Sequence, residues 1–230
     1  MTQGATLLYS GVTSPLLNLI DDDSVRAWLE EAQEFGFIGP QPVEVQLIHA
    51  QAFFEVATSA VATSARVGRV FDLGSGSGLP GLLFGMLLNS DVSVFLVETM
   101  EKRVEFLHRW ISFLPIRARV SVLHGRAEEI GRNSLYRETG DLVVARGFAG
   151  PAVTAECGSA LMAVGGYMVV SDPPVQLGEE RWNVDGLQKL SLVVEQHVAD
   201  RANFTVLRKI GPSAEVYPRR VGVPNKKPLF

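Results

Sequence analysis

Four glycines fall within eight positions of the segment VFDLGSGSGLPG, residues 70–81. Glycine costs more backbone entropy on folding than any other residue, so this density predicts a ligand lying against bare backbone. Residues 76–81 fit the pattern G-x-G-x-x-G, which is typical of dinucleotide-binding loops. Glu98 lies 20 residues beyond Gly78, the spacing at which NAD-binding folds place a carboxylate on the ribose. The pattern alone therefore indicates an adenosine-containing cofactor.

A carboxylate at the end of the preceding strand separates two classes of cofactor. Asp72 stands two positions before Gly74, the first glycine of the loop. Its negative charge is unfavourable beside a pyrophosphate but favourable beside an ammonium and a sulfonium group. S-adenosylmethionine carries both cations and no phosphate. We therefore predict S-adenosylmethionine as the cofactor, with the helix N-terminus facing its carboxylate and these residues as contacts: Asp72, Gly74, Gly76, Gly78 and Glu98.

The elements around this loop alternate between strand-like and helical patterns. Apolar, β-prone runs recur between amphipathic segments, which predicts a parallel sheet covered by helices on both faces. The last two runs are separated only by DRA and its edges, and so short a connection joins only antiparallel strands. The predicted fold is α/β, a class I methyltransferase Rossmann-like fold with a mostly parallel seven-stranded sheet and a C-terminal antiparallel hairpin. The predicted strands are 69–73, 92–98, 119–125, 141–146, 165–172, 190–199 and 203–210.

Two helical patterns precede the sheet, one beginning at Ser24 and one running from about Glu44 to Ser64. We expect them to cap the main fold. The predicted organisation is an N-terminal helical cap at 1–66 that belongs to the same globule, a methyltransferase core at 67–211 and a basic C-terminal tail at 212–230.

The amino-acid composition argues against several classes of protein. The chain is 47% hydrophobic and 20% charged, with a single cysteine, Cys157. It therefore lacks a disulfide framework and a cysteine-based zinc site, and its four scattered histidines do not have metal-ligand spacing. The start shows no basic or apolar signal-peptide pattern, and no run reaches the roughly 18 apolar residues of a membrane span. We expect a cytoplasmic monomer without a metal and without membrane contact.

Charge is distributed unevenly. Residues 201–230 contain seven basic residues and one acidic residue, a net charge of +6, whereas the whole chain carries −4. This asymmetry predicts a tail that faces a polyanion, although a tail kept basic for solubility would look the same. The three prolines interleaved with the basic residues, Pro218, Pro224 and Pro228, are expected to keep the tail extended. The predicted RNA contacts are Lys102 and Arg103 on the helix after Glu98, and Arg219, Arg220, Lys226 and Lys227 in the tail.

The sequence resembles the small-subunit ribosomal RNA guanine-N7 methyltransferase family, also called the glucose-inhibited division protein B family. The similarity runs in order through VFDLGSGSGLPG, ETMEKRVEFL, HGRAEEI, DLVVARGFA and YPRRVGVPNKKPL. Such proteins methylate N7 of one guanine in the decoding-region loop of 16S rRNA with S-adenosylmethionine. The resemblance implies an rRNA partner in the small ribosomal subunit and cofactor contacts from Gly74, Leu79, Ala127, Glu128 and Arg146. In "ARGF", Gly147 stands where the family usually has alanine.

This reaction fits a site without a catalytic dyad. Guanine N7 carries a lone pair and no proton, so the enzyme needs to position the base rather than deprotonate it. Arg146 is the predicted catalytic residue, either donating to guanine O6 or anchoring the cofactor carboxylate. His49 falls where the family has a histidine and is a further candidate. The alternatives are a methyltransferase for another RNA or a small molecule, a non-catalytic RNA-binding or assembly protein on this fold, and an NAD-dependent oxidoreductase.

Overall fold

The computed structural model describes residues 19, 21–62, 67–173, 181–199 and 201–230. The first 18 residues of the expected cap, and the expected end of its second helix at Ser64, lie outside this part of the chain. The described residues form a seven-stranded sheet in the order β3-β2-β1-β4-β5-β7-β6. Its strands are β1 (Arg69–Leu73), β2 (Ser93–Glu98), β3 (Arg119–His124), β4 (Gly140–Ala145), β5 (Met162–Asp172), β6 (Leu192–Ala199) and β7 (Asn203–Lys209).

Strands β1 to β5 are parallel to one another, and β7 pairs antiparallel with both β5 and β6. The predicted class I methyltransferase fold with a C-terminal antiparallel hairpin is therefore confirmed. Because β1 and β4 are neighbours at the centre of the sheet, successive strands are added on one side of β1 up to β3 and on the other side from β4 onward. Ligands of open α/β sheets bind at the carboxyl ends of the strands beside such a reversal of strand order.

Helices cover both faces of the sheet and bury its apolar strands. One hydrophobic cluster joins the first four helices to one face, and a second cluster joins the later helices to the other. None of the helices within the described ranges has the length and apolarity needed to cross a bilayer. The helices are α1 (Asp23–Glu34), α2 (Val43–Val61), α3 (Gly81–Leu87), α4 (Glu101–Ile111), α5 (Ala127–Ile130), α6 (Pro151–Leu161), α7 (Val184–Lys189) and α8 (Val223–Lys226).

The cap helix α1 contacts the glycine-rich loop directly. Trp28 is fully buried, and its Nε1 donates to the carbonyl of Ser77 at 2.8 Å. On the same helix, Glu31 accepts from Trp110 Nε1 at 2.8 Å and pairs with Arg109 at 2.6 Å. Helix α1 thus binds both the glycine-rich loop and helix α4.

The C-terminal segment, residues 211–230, folds back onto the core instead of extending from it. The guanidinium of Arg137 donates to the carbonyls of Ser213, Ala214 and Tyr217. Buried Lys209 donates to the hydroxyl of Ser213 at 2.5 Å and to the carbonyl of Ser159 at 2.5 Å. The expectation that prolines keep the tail extended is wrong, because half-buried Arg137 and buried Lys209 bind polar atoms of this segment.

Candidate active site

A cavity of about 420 Å³ lies at the carboxyl edge of the parallel strands. Its wall is built from residues that follow four strands: Gly74 after β1, Thr99 after β2, Gly125 after β3 and Phe148 after β4. Volumes of about 300–1,000 Å³ are usual for small-molecule sites. The cavity therefore lies where the fold predicts a cofactor and is large enough to hold one.

Gly74 meets a steric requirement of this cavity. Its φ is +65°, and a Cβ there would lie 2.7 Å from Cδ2 of Phe148, closer than real contacts allow. Gly78 and Gly81 are explained differently, because a Cβ on them would overlap the interior side chains of Leu82 and Leu96. Only the first glycine of the loop lines the cavity, whereas these two permit close packing of α3.

Glu98 presents a buried carboxylate at the end of β2. Its side chain is 4% exposed and lines the cavity. Oε2 accepts from the backbone N–H of Gly76 at 2.9 Å, while Oε1 accepts from Thr99 and Met100 at 2.7 and 2.9 Å. These bonds fix the carboxylate, which retains acceptor capacity for hydroxyl donors such as those of a ribose.

Asp72 is 1% exposed and does not line the cavity. Its Oδ2 accepts from the backbone N–H of Gly81 at 3.2 Å, so the carboxylate caps the N-terminus of α3. The sequence predicted that this helix end faces the cofactor carboxylate, whereas the first N–H of α3 donates to the side chain of Asp72. Burial raises the pKa of Asp72 to about 7, the charge of Glu98 adds to the rise, and that of Arg146 opposes it.

Arg146 follows β4 directly and is held from the N-terminal cap. Its Nη2 donates to Oε1 of Gln46 on α2. Its Nη1 is buried, with no hydrogen-bond partner among the described residues. Burial lowers the pKa of the guanidinium, although the charge of Asp72 opposes this. The residue lies beside the cavity, which the next two residues, Gly147 and Phe148, line.

His49 lies on the same helix as Gln46. Its Nε2 is 3.2 Å from Oγ of Ser171 at the end of β5, while its Nδ1 is buried and unpartnered within the described residues. Burial lowers the pKa of His49 to about 4, and the charge of Arg146 contributes to this. The imidazole is therefore neutral near pH 7. Two buried nitrogens without partners, one on His49 and one on Arg146, accordingly lie in one electrostatically coupled cluster.

The structure brings part of the predicted cofactor set to the cavity wall. Gly74, Glu98, Ala127 and Glu128 line it. The other five predicted contacts, which do not line it, are Asp72, Gly76, Gly78, Leu79 and Arg146. Several further wall residues were not predicted as cofactor contacts, because they lie outside the glycine-rich loop: Thr99, Arg126, Phe148, Val153, Val221, Gly222 and Asn225. Arg103 and Lys226 also line the cavity, although the sequence predicted them as RNA contacts.

The predicted RNA contacts divide into exposed and internally paired residues. Lys102, Arg220, Lys226 and Lys227 are exposed. Arg103 is partly buried, with Nη1 3.8 Å from Oε2 of Glu98, and its guanidinium lies over the ring of Phe37.

Arg219 does not behave as a free surface cation. Its Nε and Nη2 donate to the fully buried carboxylate of Glu156 at 2.9 and 2.6 Å. Its backbone N–H donates to the same carboxylate at 2.7 Å. Arg219 therefore forms an internal ion pair in which its guanidinium neutralises the buried charge of Glu156, and its role as an RNA contact stays a prediction.

The sheet order, the terminal hairpin and the cavity at the strand ends define a class I S-adenosylmethionine-dependent methyltransferase. Solved structures with the same fold include a mutant of MtNAS, 16% identical with a TM-score of 0.56, covering 80% of this chain and 70% of that one. A protein from Corynebacterium glutamicum is 18% identical with a TM-score of 0.51, covering 83% of this chain and 91% of that one.

Sequence comparison gives the family within this class. The chain belongs to the GidB family, described as rRNA small subunit methyltransferase G, whose family model matches residues 28–203. Two relatives are named ribosomal RNA small subunit methyltransferase G. The relative from Moorella thermoacetica is 35% identical over 70% of this chain and 69% of its own length. The relative from Symbiobacterium thermophilum is 34% identical over 95% of this chain and 90% of its own length.

Proposed function

We propose that this protein transfers a methyl group from S-adenosylmethionine to N7 of a guanine in the decoding-region loop of 16S rRNA, within the small ribosomal subunit in the cytoplasm. Membership of the family supports the methyltransferase activity, and the names of the relatives support the ribosomal RNA substrate. The choice of guanine N7 and its place in the decoding-region loop are inferred from the resemblance of the motifs to those of the family.

The wall of the cavity fits the cofactor. Bare backbone at Gly74 gives close approach, and the buried carboxylate of Glu98 suits the two hydroxyl groups of a ribose. Ala127 and Glu128 follow β3, where the adenine of this cofactor would border them. When bound, S-adenosylmethionine supplies an electrophilic methyl group. The residues of the chain have to bind it, exclude water and orient the base.

The observation that carries the proposal is the unpartnered Nη1 of Arg146 beside the cavity. Guanine O6 is an acceptor adjacent to N7, and methylation of N7 places positive charge on the purine ring. A guanidinium donating to O6 would orient the base for in-line attack, and it needs no proton transfer to do so. The neutral imidazole of His49 adds no further positive charge to this region.

The test is methyl transfer from labelled S-adenosylmethionine to small subunits that lack base methylation in the decoding loop. Mass spectrometry of the rRNA digest then locates the label. A single N7-methylguanosine in that loop is the expected result. Cofactor binding without incorporation into subunits would contradict the rRNA target and favour another RNA or a small molecule. Absence of cofactor binding would favour the non-catalytic alternative.

A further inference from the structure

The C-terminal segment supplies one wall of the cofactor cavity. Val221, Gly222, Asn225 and Lys226 line it together with Glu128 from α5. The basic tail at 212–230 was expected to face RNA, yet four of its residues adjoin the same cavity as the glycine-rich loop. The end of the chain is therefore part of the small-molecule site.

Two buried carboxylates hold this wall in place. Glu128, 8% exposed, accepts from the backbone N–H of Gly222 at 2.9 Å. Glu156, fully buried, accepts from the side chain and backbone of Arg219. Gly222 itself has φ +77° with open space around its missing Cβ, so it serves the turn into α8. These bonds fix the backbone just before Asn225 and Lys226.

The side chains of Asn225 and Lys226 have polar groups without a hydrogen-bond partner among the described residues. Both Asn225 and Lys226 are exposed on the cavity wall. Within the described part of the chain, the ammonium of Lys226 has no carboxylate at ion-pair distance. An asparagine amide offers one donor and one acceptor side by side. This pairing matches the amino group and adjacent ring nitrogen of an adenine.

We propose that Asn225 reads the adenine of the bound cofactor and that Lys226 donates a hydrogen bond to the same ligand, so that Lys226 serves the cofactor rather than the RNA. This inference rests on the proposed function for the identity of the ligand, but it does not depend on which nucleotide is methylated. The wall that holds both residues is fixed before the ligand arrives, which lowers the entropy cost of binding.

Calorimetric titration with S-adenosylhomocysteine tests both residues without measuring activity. Asn225→Ala and Lys226→Ala should each weaken binding about 3- to 10-fold, the range for loss of one hydrogen bond. Lys227→Ala is the matched control, because Lys227 is the next residue, is exposed and has the same charge, but does not line the cavity. Its affinity should equal that of the wild type. Thermal unfolding of each variant confirms that it is folded.

A second ligand separates adenine reading from general loss of contact. S-inosylhomocysteine replaces the adenine amino group with an oxo group. The wild type should prefer the adenine ligand, and Asn225→Ala should lose most of that preference. An unchanged preference in Asn225→Ala, or equal affinities of Lys226→Ala and wild type, would overturn the corresponding assignment. Failure of the wild type to bind either ligand would instead contradict the proposed cofactor.

Discussion

The guanidinium of Arg146 donates to the side-chain oxygen of Gln46, and 100 positions separate the two residues in the chain. Gln46 is 4% exposed, and its Nε2 also donates to the carbonyl of Gly39 at 3.3 Å. A helix of the N-terminal cap therefore orients the arginine at the end of β4. On the proposed role of Arg146, substitutions in the cap should therefore change the rate of the reaction.

Arg146→Ala should lower kcat for methyl transfer about 10²-fold, the scale of loss when a substrate is no longer held in line for attack. The dissociation constant for S-adenosylhomocysteine should stay within about 3-fold of the wild-type value, since Arg146 does not line the cavity and such a change is below one hydrogen bond. Single-turnover kinetics and calorimetry measure the two quantities. A large loss of cofactor affinity with unchanged kcat would identify Arg146 as the anchor of the cofactor carboxylate instead.

Gln46→Ala should reduce kcat less than Arg146→Ala does, because the arginine remains but loses its fixed orientation. Gln46→Glu restores an acceptor for Nη2 and should recover part of the rate. Equal activity of Gln46→Ala and wild type would contradict the positioning role. Urea unfolding checks that the buried substitution has not simply unfolded the cap.

Asp72 should make stability fall as the pH rises from about 4 to 7. Its pKa is raised from 3.8 to about 7 by burial, so the folded protein keeps a proton that the unfolded chain releases above about pH 4. The unfolded state binds fewer protons in this range, and the free energy of unfolding therefore decreases with pH until about 7. The stability advantage of Asp72→Asn over the wild type should grow by on the order of 2–3 kcal/mol as the pH rises from 5 to 7.

Urea denaturation of the cofactor-free protein measures this difference at each pH. Asparagine keeps an oxygen that can accept from the backbone N–H of Gly81, so the cap of α3 is preserved. A difference between the two proteins that does not vary with pH would mean that Asp72 is ionised across the whole range.

Gly74→Ala should weaken cofactor binding at least about 10-fold, because the new methyl group overlaps Phe148 on the cavity wall and strains a backbone at φ +65°. Gly165→Ala is the control for backbone strain, since Gly165 has φ +87° with nothing within 4 Å of its missing Cβ and does not line the cavity. Calorimetry should show normal affinity in the control and reduced affinity in Gly74→Ala. Equal affinities would refute the steric role of Gly74.

Much of this arrangement could be predicted from local pattern. The strand spacing predicted the sheet and its antiparallel hairpin, and Glu98 is the last residue of its strand as expected, because both depend on neighbouring residues. The function of Asp72 as a helix cap was not predictable from its spacing, since a carboxylate at a strand end can face either a ligand or the next helix. The pairing of Arg219 with Glu156 joins residues 63 positions apart, and no sequence motif connects them.

Removing one partner of the Glu156 and Arg219 pair should be costly. Arg219→Ala leaves the carboxylate of Glu156 buried without a counter-charge, and such losses cost about 3–5 kcal/mol in the free energy of unfolding. The double variant Glu156→Gln with Arg219→Ala has no buried charge and should recover part of that loss. Denaturant unfolding of the single and double variants measures the coupling. Equal losses in both would show that the buried charge is not the cause.

Exposed cations should give rRNA binding its salt dependence. Each phosphate contact adds about 0.7–0.9 to the slope of log affinity against log salt concentration. Replacing Lys102, Arg220 and Lys227 by alanine should therefore reduce the slope by about 2–3, while affinity for S-adenosylhomocysteine stays normal. Filter binding to a 16S rRNA fragment over a range of salt concentrations measures this slope.

A charge-matched control separates contact from general electrostatic attraction. Arg117, Arg119 and Lys189 are also exposed, and the first two lie at the amino end of β3, opposite the cavity edge of the sheet. Their alanine variant loses the same three charges and should keep a slope close to that of the wild type. An equal reduction in both variants would mean that net charge alone attracts the RNA and that the cations near the cavity edge make no specific phosphate contacts.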